Sequence, residues 1–231
     1  MFNKTKKYKL SKINMKSFTI IITILIIIFI NCEKDKNNKN NNKNIRAAYH
    51  SGSWYQSNEK LLSDEISQYL SKSEKITKNG NLKSIIVPHA GYRFNGLTAA
   101  KSFININPSD FNRVVILGPS HHEYFTGCGL TSFDSFATPF GNIDVDINYI
   151  NKKLIKIKGL YFRLSESIDL NEHSIEMELP FLKYIFKNNN IKIIPIVVGD
   201  NDLKTNIEIG KTLYELYSDP KKIFMIISDF G

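Results

Sequence analysis

Two apolar runs in this chain each stop at a short turn that carries histidine. Ile85-Ile86-Val87 leads into Pro88-His89-Ala90-Gly91-Tyr92, and Val114-Val115-Ile116-Leu117 leads into Gly118-Pro119-Ser120-His121-His122. A short, unbroken run of aliphatic residues bounded by Pro and Gly reads as a strand buried on both faces, which parallel sheets provide. Open α/β sheets place ligand groups at the carboxyl ends of their strands. Two neighbouring strands of this kind bring two imidazoles to one sheet edge. Neutral imidazole is a ligand for iron, copper, zinc and nickel, so His89 and His121 are candidate metal ligands. The alternative is that each ring caps a turn or bonds backbone.

The rest of the domain follows the same alternation. Strands are predicted at Lys83–Val87, Arg113–Leu117, Lys192–Val198 and Ile223–Ile227. Pro195 lies within the third and points to an irregular or edge position. Helices are predicted at Asn58–Lys72, at Asn95–Ile106 with Leu97, Ala100 and Phe103 inward, and at Asn148–Ile157. Two more fall at Ser174–Phe186, interrupted by Pro180, and at Leu203–Tyr217. Short strands alternating with longer helices predict an α/β fold, a mostly parallel sheet covered by helices on both faces. The fourth strand ends in Ser228-Asp229-Phe230, which puts a third polar motif on the edge that carries the histidines.

All five histidines lie in motif-like surroundings. Glu172-His173-Ser174-Ile175-Glu176 opens a helix, so Glu172 or Ser174 is a candidate cap and Glu176 suits the helix dipole. In a functional reading, His173 or Glu176 reaches the site as an acid/base or as a group that orients a ligand. Asp229, at the end of a buried strand, needs a partner, either a metal or a histidine, or else caps a following helix. His50-Ser51-Gly52-Ser53-Trp54-Tyr55 is a tight polar turn with no assigned role. Cys128, between two glycines, reads as packing rather than ligation.

Charge separates the chain into two parts. Residues 1–45 hold ten lysines and two acids, whereas residues 46–231 hold 21 basic and 20 acidic residues. The folded part is nearly neutral, without the basic face that nucleic-acid binding requires. Thirteen residues, Phe18–Ile30, form an isoleucine-rich run. As a helix it rises about 20 Å, against a bilayer core of about 30 Å, and so suits a signal-peptide core better than a spanning helix. Residues 1–32 are therefore expected to be a signal peptide of lipoprotein type or an uncleaved signal anchor. Phe29-Ile30-Asn31-Cys32 is similar to a lipobox, in which Cys32 would be lipidated. Residues 33–45, rich in Asn and Lys, can bury nothing and read as a flexible tether. The expected location is exported and membrane-associated.

Taken in order, His50–Tyr55, Pro88–Tyr92, Ile116–His122, Glu172–Pro180, Ile194–Gly199 and Ser228–Phe230 resemble the Memo-like family, also called AmmeMemoRadiSam system protein B. The resemblance covers residues 46–231. It implies a fold similar to class III extradiol dioxygenases and a pocket that takes iron(II) or copper, with His89 and His121 as two ligands. It implies catalytic roles for His173 and Asp229 in redox or dioxygenase-like chemistry. The family's third ligand is a cysteine further on, and a histidine follows its Ser-Asp-Phe motif. This chain shows no counterpart of either, so the resemblance implies a domain incomplete at its C-terminus and a missing third ligand. Bacterial members of the family are often associated with a radical-SAM protein and an AMMECR-type protein, and the family is usually cytosolic. The alternatives to a metal-dependent enzyme are a non-catalytic module for a peptide or small ligand, and an inactive fragment.

Overall fold

The computed structural model describes residues 43–76, 80, 82–218 and 223–229. The isoleucine-rich run, Cys32 and most of the Asn/Lys tether lie outside the described residues. Among the described residues no helix is long and apolar enough to cross a membrane.

One sheet organises the described domain, with nine strands among the described residues. They are β1 (Ile45–Arg46), β2 (Ser84–Val87), β3 (Arg113–Pro119), β4 (Cys128–Leu130), β5 (Ser135–Phe136), β6 (Ile143–Val145), β7 (Tyr161–Arg163), β8 (Lys192–Val198) and β9 (Ile223–Ser228). The main path runs β1-β5-β6-β8-β3-β9-β2, and β4 joins β8 to β7. The β6-β8-β3-β9-β2 stretch is parallel throughout, and β4–β8 and β5–β6 are antiparallel. Five consecutive residues are buried in β3 and again in β8. Alternating side chains point to opposite faces, so such runs require cover on both.

The helices are α1 (Glu59–Ser71), α2 (Tyr92–Phe103), α3 (Ile147–Lys152), α4 (Glu166–Asn171), α5 (Leu179–Ile185) and α6 (Leu203–Tyr217). Asn58, Asp146, Ser165 and Asp202 each accept a backbone N–H at a helix start, which fixes the boundaries of α1, α3, α4 and α6. α1, α2 and α5 pack together, with Phe103 stacked on Phe181 at 5.0 Å between ring centres. α6 packs against β9.

Four expectations need correction. Pro195 is in the middle of the sheet, not at an edge, and the position is irregular in that the pairing on one side changes strand there. Lys192 donates its N–H to Asn112 on the β3 side, while Ile193 accepts from Asp146 on the other. By alternation the Pro195 nitrogen faces the second side, where β6 pairing has ended at Ile193 and β4 pairing begins at Ile196. Its missing N–H therefore removes no ladder bond. Leu97 points outward and is 40 % exposed, because Gly96, Ala99, Ala100 and Phe103 form the buried face of α2. The long helix expected before Ile157 is α3 followed by a 3-10 turn at Leu154–Lys156. Pro180 does not interrupt a helix. A 3-10 turn at Glu176–Glu178 precedes it, and it stands in the first turn of α5, where no backbone donor is needed.

Candidate metal centre

β9 lies between β3 and β2, with Ile227 opposite Leu117 and Ser228 opposite Val87. The three parallel strands end level, so the motifs that follow them share one edge. His89 and His121 meet there, their Nε2 atoms 3.2 Å apart. His173 arrives from the loop before α5 and stacks on His121 at 4.3 Å between ring centres. Each of the three imidazoles offers a nitrogen, and these nitrogens lie within 4.8 Å of one another. The sequence left the third donor unplaced; the structure brings in His173, which sequence reasoning had cast as acid/base or orienting group.

Carboxylates hold the other sides of the rings. Asp229 Oδ1 lies 2.7 Å from His89 Nδ1, and the Ser228 hydroxyl lies 2.8 Å from the same atom. Glu172 Oε1 lies 2.9 Å from His121 Nδ1. Glu172 also accepts backbone N–H groups from His121, His173 and Ser174. Burial opposes its charge, but these amides and the His121 ring outweigh burial and hold its carboxyl below the usual range. An ionised carboxylate only accepts, so His121 Nδ1 is the donor and its Nε2 is left with a lone pair. With the Nδ1 proton of His89 likewise directed at Asp229, two neutral rings in these tautomers would set their Nε2 lone pairs against each other across 3.2 Å.

That arrangement calls for a positive charge between the rings. Metal–nitrogen bonds of about 2.1 Å put neighbouring donors about 3.0–3.4 Å apart. The His89–His121 pair, at 3.2 Å, has that spacing, and all three donors lie within 4.8 Å of one another. Burial, followed by the neighbouring histidines, outweighs the pull of Glu172 and lowers His173 to about 4, so this ring is neutral and able to ligate at neutral pH. Burial likewise lowers His89, against the pull of Asp229. The donor set fits a metal ion that accepts imidazole.

A second carboxylate organises the wall behind the rings. Glu176 is 1 % exposed and accepts from Arg46 Nη1 at 2.6 Å, from Tyr55 Oη at 2.9 Å and from the His50 backbone N–H at 2.8 Å. His50 Nδ1 lies 3.2 Å from its other oxygen. Burial resists the charge, but the His50 and Arg46 contacts bring Glu176 down to about 2. Arg46, itself 1 % exposed, also reaches the carbonyls of Asp169, Leu170 and Glu172. Its guanidinium thus ties β1 to the loop that carries Glu172 and His173. Sequence reasoning missed it, because an arginine beside a polar tether carries no periodic signal of burial.

The remaining motifs resolve around the same centre. Trp54 packs on His173 at 4.6 Å and borders a cleft of about 440 Å³ also lined by Arg93 and Phe94. His50 and His122 stand 5.8 and 6.0 Å from the His173 ring, so all five histidines surround one point. Cys128 is buried in β4, and burial pushes its thiol up to about 12. Glu172 does not open a helix: it is the C-cap of α4, its N–H donating to the Ile168 carbonyl, and its carboxylate organises the turn ahead of the 3-10 segment. Gly118 leaves no room for a side chain beside the loop that carries His173: a Cβ there would lie 2.4 Å from Ser174 Oγ.

Comparison with known proteins gives the chain a family. The Memo-like protein family model matches residues 46–231. The chain is 36 % identical to Protein MEMO1 of Xenopus laevis over 187 residues, 80 % of this chain and 62 % of that protein. It is 37 % identical to the MEMO1 family protein MHO1 of Saccharomyces cerevisiae over 199 residues, 81 % of this chain and 59 % of that protein. It is 35 % identical to the Protein memo-1 homolog of Caenorhabditis elegans over 189 residues, 81 % of this chain and 53 % of that protein. The chain thus spans less than two thirds of the length of these curated relatives. On the match to the family model and on these identities, this chain belongs to the Memo-like protein family.

Proposed function

We propose that this domain binds a redox-active metal, iron(II) or copper, through His89, His121 and His173, and serves redox or dioxygenase-like chemistry. The observation that carries the reading is the convergence of three imidazoles at the ends of β2 and β3, two of them held from behind by Asp229 and Glu172. When bound, such an ion supplies Lewis acidity and one-electron chemistry. The protein's part is to fix donor orientation. Asp229 and Glu172 hold the Nδ1 protons of His89 and His121, and Trp54 screens one face of His173. With His173 on the metal, Asp229, in contact with His89, is the group that would hold or move a proton beside a substrate.

The test is metal content after loading the full chain with Fe(II), Cu(II) or Zn(II) and removing excess. One tightly held equivalent is expected, and it should be lost in His89→Ala, His121→Ala and His173→Ala. Unchanged stoichiometry in all three variants would sink the assignment, and a preference for zinc would replace the redox reading with a hydrolytic one.

A second reading is a non-catalytic module for a peptide or small ligand, favoured by the cleft of Trp54, Arg93 and Phe94 beside the rings. Ligand binding that survives loss of all three histidines would support it. We further propose an exported, membrane-tethered protein with lipid on Cys32; the intact mass of the native protein tests this directly.

A further inference from the structure

At the opposite edge of the sheet, where β3 and β8 begin, lies a cleft of about 650 Å³. Arg113, Lys152, Lys153 and Lys192 line it, together with Asp146, Tyr149 and three asparagines. β3 is seven residues long, so this cleft is about 20 Å from the histidines beyond the other end of the strand. A ligand here would not reach the metal centre.

The charge distribution singles the cleft out. Arg113 is Lys192's register partner on β3, and Asp144 is its partner on β6. Asp146 takes both Arg113 Nε at 2.9 Å and Nη2 at 2.6 Å. Counting both acids, four cations face two carboxylates, and Lys152 and Lys153 carry the surplus. A surplus of two charges in one concavity is notable in a domain whose residues 46–231 total 21 basic and 20 acidic. Concave walls of low dielectric focus such a field on mobile anions.

The cleft is also built rather than merely lined. Asp146 fixes the Arg113 guanidinium, which sits 5.1 Å over the Tyr149 ring. Asp146 itself is buried and accepts the Tyr149 N–H at 3.0 Å at the start of α3. The arginine is therefore held in place before any ligand arrives, while the lysines on α3 and β8 remain adaptable point charges. The Nε–Nη2 edge of Arg113 is taken by Asp146, so the guanidinium contributes its remaining N–H groups and the adaptable ammonium groups of Lys152, Lys153 and Lys192 supply the charge that suits a tetrahedral oxyanion. The asparagine amides add neutral donors.

We propose that this cleft is a binding site for a phosphate-bearing anion, separate from the histidine cluster. The ligand chemistry is that of a di- or triphosphate, carried either by a soluble metabolite or by a lipid headgroup. Inorganic pyrophosphate is the first probe, titrated into the full chain and followed by calorimetry at low and physiological salt. The lysine-rich residues 1–45 also attract anions, so the comparison is with Lys192→Ala and with Lys152→Ala/Lys153→Ala. Loss of about tenfold in affinity in each variant is expected, with unchanged thermal unfolding. Equal affinity in wild type and variants, or no binding by wild type at millimolar pyrophosphate, would overturn the proposal. Vesicles of phosphatidylcholine with and without a tenth of phosphatidylinositol 4-phosphate separate the sources. Lysine-dependent binding to the doped vesicles assigns the headgroup, and pyrophosphate binding alone assigns a soluble ligand.

Discussion

Glu172 grips His121 twice: one carboxylate oxygen lies 2.9 Å from the ring Nδ1, and the other accepts the residue's own backbone N–H at 2.7 Å. Ring orientation and main-chain position are thus set by one side chain. Glu172→Gln keeps the shape but withdraws the charge and a lone-pair site. Affinity for Co(II) or Zn(II), measured by competition with a chromophoric chelator, should fall by about 10–100-fold. Unaltered affinity would mean that the carboxylate serves the loop alone.

Arg46 and Glu176 form a buried ion pair at 2.6 Å. Removing one partner of such a pair leaves an uncompensated charge and costs about 3–5 kcal/mol. Arg46→Ala should reach that range in urea unfolding, and Arg46→Lys should recover only part, since an ammonium cannot span the carbonyls of Asp169, Leu170 and Glu172.

The same pair shapes the acid limb of stability. Glu176 titrates near 2 in the folded protein, against about 4.3 unfolded. Its contribution is complete above the unfolded value and is lost as pH falls through the folded one. Unfolding free energy should therefore drop between about pH 4.3 and 2. In Glu176→Gln that limb should flatten, with lower stability at neutral pH.

Glu178 behaves in the opposite sense. It is 1 % exposed; burial, then the nearby Asp229 charge, raises its carboxyl well above the ordinary range. A raised folded value means stability that is full below the unfolded pKa of about 4.3 and erodes as pH rises from there. Glu178→Gln should unfold at a higher temperature than wild type at pH 7, and the gap should close at pH 4. A lower melting temperature at pH 7 would show that the carboxyl makes bonds glutamine cannot copy.

Gly118 leaves room for Ser174, whose hydroxyl donates to the Pro119 carbonyl at 2.8 Å. A methyl group at position 118 would displace that hydroxyl and the loop behind it. Gly118→Ala should cost about 1–3 kcal/mol by overpacking. It should also weaken metal binding, because His173 is the next residue along.

The parallel frame was legible because β2, β3, β8 and β9 are apolar runs cut off by Pro, Gly, Ser or Asp. β3, β8 and β9 are buried on both faces, whereas β2, at the end of the sheet path, leaves Ile86 65 % exposed and corrects the expectation of a doubly buried strand there. The two- and three-residue strands β1 and β4–β7 were not, since their partners rather than their composition define them. His89 and His121 were legible as strand-end residues. His173 as a third donor was not, because its place depends on a turn that Glu172 organises through backbone amides. Arg46 was the least visible, being a charge whose burial is made possible by carbonyls more than a hundred residues away.

The position of β9 has a consequence for how the molecule is made. It is the last described strand in sequence, yet it sits between β3 and β2, and His89 takes its contact from Asp229, 140 residues further on. During synthesis, then, β2 waits on the ribosome without its neighbour until residues 223–229 have emerged. His121 and His173 can come together earlier, but the trio cannot. Any metal binding that needs all three rings is thereby deferred until residues 223–229 have emerged, so a nascent chain stalled before that point would carry an unassembled site.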